Sequence, residues 1–161
     1  MAATVQIVEK NGAGGTATDK TSGAVRFKLA DNATVDLVAP LQVPSSGTSY
    51  SFEKWLRFSV ASGTYTQISN IKAYSDGGNG LGTGVVAYAK AVSTYATPAQ
   101  AASTTGYASL FGYTSGAALT LGSGNYTGTG EKGDHLVLMC AVASTASAGL
   151  TPSETLTWAW D

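Results

Sequence analysis

Apolar residues in this chain recur at every second position, in short runs cut off by glycine, and that period commits most of it to β-strand. Val25, Phe27 and Leu29 alternate with Arg26 and Lys28, the pattern of a half-buried strand. Phe52, Leu56, Phe58 and Val60 fall on one face of a longer strand, with Trp55, Arg57 and Ser59 on the other. A short loop, Ala61-Ser62-Gly63-Thr64, leads into a strand over residues 67–74. The glycine-rich loop Asp76-Gly77-Gly78-Asn79-Gly80-Leu81-Gly82 then leads into residues 85–92. Loops this short cannot carry a parallel crossover, so these three strands are expected to form an antiparallel meander.

Residues 136–142 are apolar on both faces, as a central strand covered from each side requires. A turn-rich stretch, residues 144–153, joins them to Leu156-Thr157-Trp158-Ala159-Trp160. Val5 and Ile7 mark a first strand, and residues 35–38 and 117–121 are weaker strand candidates. The one helix signal is Thr97-Pro98-Ala99-Gln100-Ala101-Ala102, a capping residue followed by proline at the first helical position. Seven to nine short strands with turns between them predict an all-β fold, an antiparallel β-sandwich or jelly-roll-like domain with long glycine-rich loops. Leu136, Leu138, Cys140, Val142, Phe27, Leu56, Phe58 and Leu156 are the expected core. Residues 1–23 read as an N-terminal strand followed by a Gly/Thr-rich loop or arm, and residues 24–161 as the body of a single domain.

Composition limits the partners. Charged residues are 12% of the 161 and the net charge is -1, so no surplus of Lys and Arg exists to hold nucleic acid or acidic lipid. Leu, Ile, Val and Phe supply only roughly a fifth of the chain, a share near that of disordered proteins, but disorder also calls for high net charge. Eight Tyr, four Phe and three Trp add the large apolar surface that a thin core needs. The start, Met1-Ala2-Ala3-Thr4-Val5-Gln6, lacks the pattern of a signal peptide, and the longest apolar stretch, residues 136–143, is far below the roughly 20 residues that cross a bilayer. With a single cysteine, a soluble protein of a reducing compartment is expected.

Chemistry-bearing residues are sparse. His135, beside Asp134, is the one imidazole, and no Gly-x-Ser-x-Gly elbow accompanies it; a strand-opening histidine bonded to backbone is the expected role. Cys140 lies five positions on, an odd separation that puts it on the opposite strand face from His135, so the two cannot share a metal ion. Among Leu138, Met139 and Val142 it is expected to be an inert core thiol. The loops at residues 78–84 and 130–133 lack dinucleotide and Walker spacing and open no helix, so hairpin turns are expected there. Asp76 and Asn79, with Asp134 from elsewhere, offer too few carboxylates for calcium, and turn chemistry accounts for Asp-Gly and Asn-Gly. No catalytic residues, metal or cofactor are expected.

Aromatic residues are the most suggestive feature for binding. Trp158 and Trp160 share a strand face and suit either a sugar-stacking platform or a core; Trp55 poses the same choice, and core is favoured for all three. Tyr107, Phe111 and Tyr113, set among small polar residues, are the candidate protein-interface residues, since Tyr and Phe are enriched where proteins meet.

Four stretches carry a resemblance. They are Thr4-Val5-Gln6-Ile7-Val8-Glu9-Lys10-Asn11-Gly12, Tyr50-Ser51-Phe52-Glu53-Lys54-Trp55-Leu56-Arg57, Gly128-Thr129-Gly130-Glu131-Lys132-Gly133-Asp134-His135 and Glu154-Thr155-Leu156-Thr157-Trp158-Ala159-Trp160-Asp161. With them the chain resembles small virion structural proteins of tailed bacteriophages. The resemblance implies a non-enzymatic building block of the particle, made in the bacterial host cytoplasm, with no functional residues carried over. Size and the expected sandwich favour a decoration protein on the outer capsid face, whose partners are the major capsid protein and copies of itself. A head–tail connector or tail protein, and a carbohydrate-binding module, are the alternatives.

Overall fold

Alternation produces strands here, but their pairing follows the longest one. A computed structural model describes residues 2–161. Its strands are β1 (Thr4–Asn11), β2 (Thr16–Asp19), β3 (Thr48–Tyr50), β4 (Lys54–Ser62), β5 (Ile71–Tyr74), β6 (Val85–Val92), β7 (Ala108–Ser109), β8 (Leu119–Gly122), β9 (Gly130–Ala143) and β10 (Thr157–Ala159). One sheet runs β2-β1-β4-β9-β6-β7, with β3 also on β9; the other runs β10-β5-β8. Every pairing between these strands is antiparallel. The chain is an all-β, sandwich-like domain.

Residues 136–142 do form the covered central strand. β9 pairs with β4 along one edge and with β6 along the other, and Leu136, Leu138, Cys140 and Val142 are buried on the inner face while Val137 and Met139 are buried on the outer. Leu56, Phe58 and Val60 of β4 join the inner face, against Ile71, Ala73 and Leu121 of the small sheet. Phe27 and Leu156 are only half-buried, packed at the margin of that core.

The expected meander is not formed. β9 inserts between β4 and β6, and β5 crosses to the second sheet, where β8 and β10 flank it. Short loops exclude a parallel connection, yet leave a following strand free to join the opposite sheet. Near the N-terminus β1 and β2 form a hairpin closed around Gly12 and Gly15, and Lys20 N–H donates to Ile7 O at 2.7 Å beyond it. β2 is exposed on both faces, so alternation could not reveal it.

Three further expectations fail for one physical reason: other groups take the backbone's hydrogen bonds. Residues 25–29 and 35–38 are not strands: Lys28 O accepts the Phe52 N–H at 3.1 Å, Leu29 N–H donates to Ala39 O at 2.8 Å, and lysine ammonium groups bond the carbonyls of Asn32, Ala33 and Thr34 between the two segments. Residues 97–102 form no helix, because Glu53 N–H donates to Ala99 O at 2.9 Å and Ala101 N–H to Ser51 O at 3.0 Å. Ser51 permits this insertion. Its buried Oγ accepts the Cys140 N–H at 2.9 Å, which frees its own carbonyl for the incoming segment. One 3-10 turn, Leu110–Gly112, is the helical element among the described residues.

The register slips once in the centre. Leu56 faces Leu136 and Phe58 faces Lys132, so three residues of β9, 133–135, stand opposite Arg57. Gly133 takes φ +68° there, and a Cβ would meet Leu121 O at 2.5 Å, so this bulge needs glycine.

Candidate functional site

The segment between β2 and β3 contains no regular structure, and three lysines organise it. Lys20 Nζ donates to Ala24 O at 3.0 Å and Ala33 O at 2.5 Å, while Lys54 Nζ donates to Asn32 O at 2.6 Å and pairs with Glu9 Oε1 at 3.0 Å. Lys28 is buried, and its Nζ binds Asp36 Oδ1 at 2.6 Å and Asn32 Oδ1 at 3.2 Å. A buried backbone carbonyl needs a donor, and here ammonium groups replace the missing strand partner. Asp36 also accepts the Val38 N–H at 2.9 Å; its carboxyl is held below the usual carboxylate range, first by Lys28 and then by that N–H.

Folding the loop inward around Lys28 turns its apolar side chains outward. Val35, Leu37 and Val38 are 48%, 65% and 68% exposed, and Val43 adjoins them in sequence at 37%. An apolar crest on an ion-paired frame is suited to binding another apolar surface, where each side chain fully buried contributes about 1.5–3 kcal/mol. Nothing in the periodicity of residues 35–38 distinguished an exposed crest from a weak strand. The one sequence signal was Asp36 and Pro40 interrupting the apolar run.

Tyr107, Phe111 and Tyr113, the candidate interface residues, do not form a single patch. Tyr107 lies toward Glu53, to which its hydroxyl donates, and the Lys90 ammonium sits 4.0 Å from its ring centroid. Burial and the Glu53 carboxylate push the Tyr107 hydroxyl pKa up. Phe111 and Tyr113 pack instead against the inner core, where the Tyr113 carbonyl accepts the Ser75 N–H at 2.9 Å. All three are half-buried and engaged within the chain.

Trp55 is buried on the outer face, edge-on to both Tyr95 and His135, and its Nε1 donates to Glu53 Oε2 at 2.9 Å. Trp158 packs at the core margin, whereas Trp160 is 44% exposed with its ring edge-on to Phe58. Together with Val5, Ile7 and Leu156 these two line a groove of about 330 Å³ between the sheets. A more polar hollow of about 510 Å³ lies between the β1–β2 hairpin and residues 31–34. Cys140 is in the core, its thiol pushed up to about 12 by burial. His135 Nδ1 lies 3.2 Å from Val92 O and Nε2 lies 3.4 Å from the Arg57 guanidinium. In the glycine loop, Asp76 accepts the Gly78 N–H and Asn79 accepts the Leu81 N–H, the turn chemistry expected of both.

Comparison with protein families, with curated proteins and with solved structures finds no match for this chain.

Proposed function

We propose that this chain is a non-enzymatic structural protein of a tailed-bacteriophage virion, a decoration protein seated with copies of itself on the outer face of the major capsid shell. The resemblance described above supplies the virion. The exposed crest of Val35, Leu37 and Val38, held by the buried Lys28, is the observation that carries an assembly role. A near-neutral chain presenting such a crest adheres through shape and apolar burial, so binding varies little between low and moderate salt. Edge strand β2, exposed along its whole length, offers a second contact to a neighbouring subunit.

Quantitative mass spectrometry of purified particles tests this directly. Hundreds of copies per particle support decoration; about 6 or 12 point to a connector or tail ring, whose closed symmetry sets those numbers. Absence from the particle overturns the proposal. Leu37→Asp with Val38→Asp is expected to lower occupancy while leaving the fold intact, since both side chains are exposed. A carbohydrate-binding module is favoured by one observation, the fixed and exposed Trp160 ring in its groove beside Trp158. Quenching or a shift of tryptophan fluorescence on titration with polysaccharides would establish that alternative.

A further inference from the structure

The outer face of the large sheet carries a group that the proposed assembly role does not use. His135 is the chain's one imidazole, 1% exposed, and it sits in the β9 bulge opposite Arg57. Arg57 Nε and Nη2 donate to Gly133 O at 3.1 and 2.7 Å, and Nη1 donates to Glu131 Oε2 at 3.0 Å. The guanidinium is thus held in place by three hydrogen bonds to two acceptors, with Nη1 also 3.4 Å from His135 Nε2.

The tautomer follows from chemistry. A guanidinium has donors and no acceptor, so Nε2 facing it must carry a lone pair. The imidazole proton then resides on Nδ1, where it donates to Val92 O at 3.2 Å. Each neighbouring element contributes a group: Arg57 from β4, Glu131 from β9, Lys10 from β1 and Tyr95 from the segment after β6. Lys10 pairs with Glu131 at 2.8 Å and lies 5.1 Å from the Tyr95 ring centroid. The Tyr95 ring lies edge-on to Trp55 and tilted against His135, and its hydroxyl donates to Gly12 O at 2.6 Å in the β1–β2 turn. Asp31 reaches the same turn, accepting the Gly12 N–H at 2.8 Å.

We propose that His135 is an acid-sensitive latch: neutral, it closes the outer face by joining β4, β9 and the end of β6 and by packing on Tyr95 just beyond it, and protonation at Nε2 opens that contact and frees Tyr95 from the β1–β2 turn. The proton would place an N–H against the Arg57 N–H and add a second buried positive charge. Arg57 cannot retreat without abandoning Gly133 O and Glu131, so the ring and the Tyr95 segment move instead. Burial, reinforced by Arg57, lowers the His135 pKa below 6.5. The unfolded chain therefore takes up the proton first as pH falls. Stability is full above about 6.5 and declines below it, the folding equilibrium constant falling by up to about tenfold per pH unit.

Two measurements on the intact chain test the latch independently of any partner. Imidazole nitrogen NMR at pH 7 is expected to show the Nδ1–H tautomer, and finding the Nε2–H tautomer overturns the proposal. Urea unfolding between pH 7.5 and 5 is expected to show the stability decline in the wild type and its loss in His135→Asn, whose side-chain amide keeps the donor to Val92 O and does not titrate. Protection factors at the Tyr95 amide and in the β1–β2 turn, corrected for the intrinsic pH dependence of amide exchange, should fall over the same range in the wild type alone. An unchanged decline in His135→Asn, or unaltered protection factors in the wild type, refutes the latch. If that variant does not fold, the tautomer and the wild-type exchange profile decide the matter.

Discussion

Lys54→Met is the most informative single change. Lys54 and Glu9 are 1% and 0% exposed, point to the same face as Leu56 and Phe58, and meet at 3.0 Å. Methionine keeps most of the unbranched stem, so packing against the core changes little. The loss is electrostatic. Glu9 Oε1 keeps only Asn11 Nδ2 at 3.4 Å, and Oε2, which has no hydrogen bond of its own, keeps only the Lys20 ammonium at 3.7 Å. Asn32 O also loses its donor. Breaking a buried pair by removing one partner costs about 3–5 kcal/mol, and the nearby Lys20 moves the expectation toward the lower end, about 3 kcal/mol. In a domain stable by about 5–15 kcal/mol that is a large fraction. Replacing both partners, Glu9→Met with Lys54→Met, removes the stranded Glu9 charge but leaves Lys20 without its carboxylate and Asn32 O without its donor, so the double variant is expected to lose less than the sum of its singles without returning to wild type. Urea unfolding followed by tryptophan fluorescence and by circular dichroism measures both, and coincident transitions establish two-state behaviour. A single-variant loss below about 1 kcal/mol, or a double variant as damaged as the sum of its singles, would refute this account of the pair.

Other expectations follow from the same core. Leu138→Ala, between Lys54 of β4 and Ala89 of β6, should cost about 2–5 kcal/mol by denaturant titration, and a loss under 1 would remove β9 from the centre of the sheet. Gly133→Ala should destabilise by more than the usual 1 kcal/mol of a mid-strand change, because its φ of +68° and the Leu121 carbonyl at 2.5 Å both oppose a Cβ. Cys140, 3% exposed with its thiol pushed up to about 12, should resist a thiol reagent at pH 8 until the chain is unfolded; rapid native-state labelling would contradict its burial.

The sequence by itself determined the class of structure and the identity of its central strand. Alternation is a local property, so Leu56, Phe58 and Val60 declared an inner face wherever their strand came to pair, and residues 136–142 declared a strand covered twice. The Asp-Gly and Asn-Gly turns were legible for the same reason: their bonds close within a few residues. Pairing was not legible. β9 lies between β4 and β6 although it follows both by dozens of positions, and no local pattern states which edge a strand will meet. Ions misled most. Alternation places Lys28 on the polar side of a strand, yet it is buried, because Asp36 and Asn32 arrive to complete its shell. His135 reads as a strand's polar opening and sits instead in the interior of β9, where Arg57 of β4 and Val92 of β6 meet it. Lys10 and Glu131, 121 positions apart, pair only once β1, β4 and β9 are side by side. Burying a charge is unfavourable until its partners are present, and only the tertiary structure brings them there.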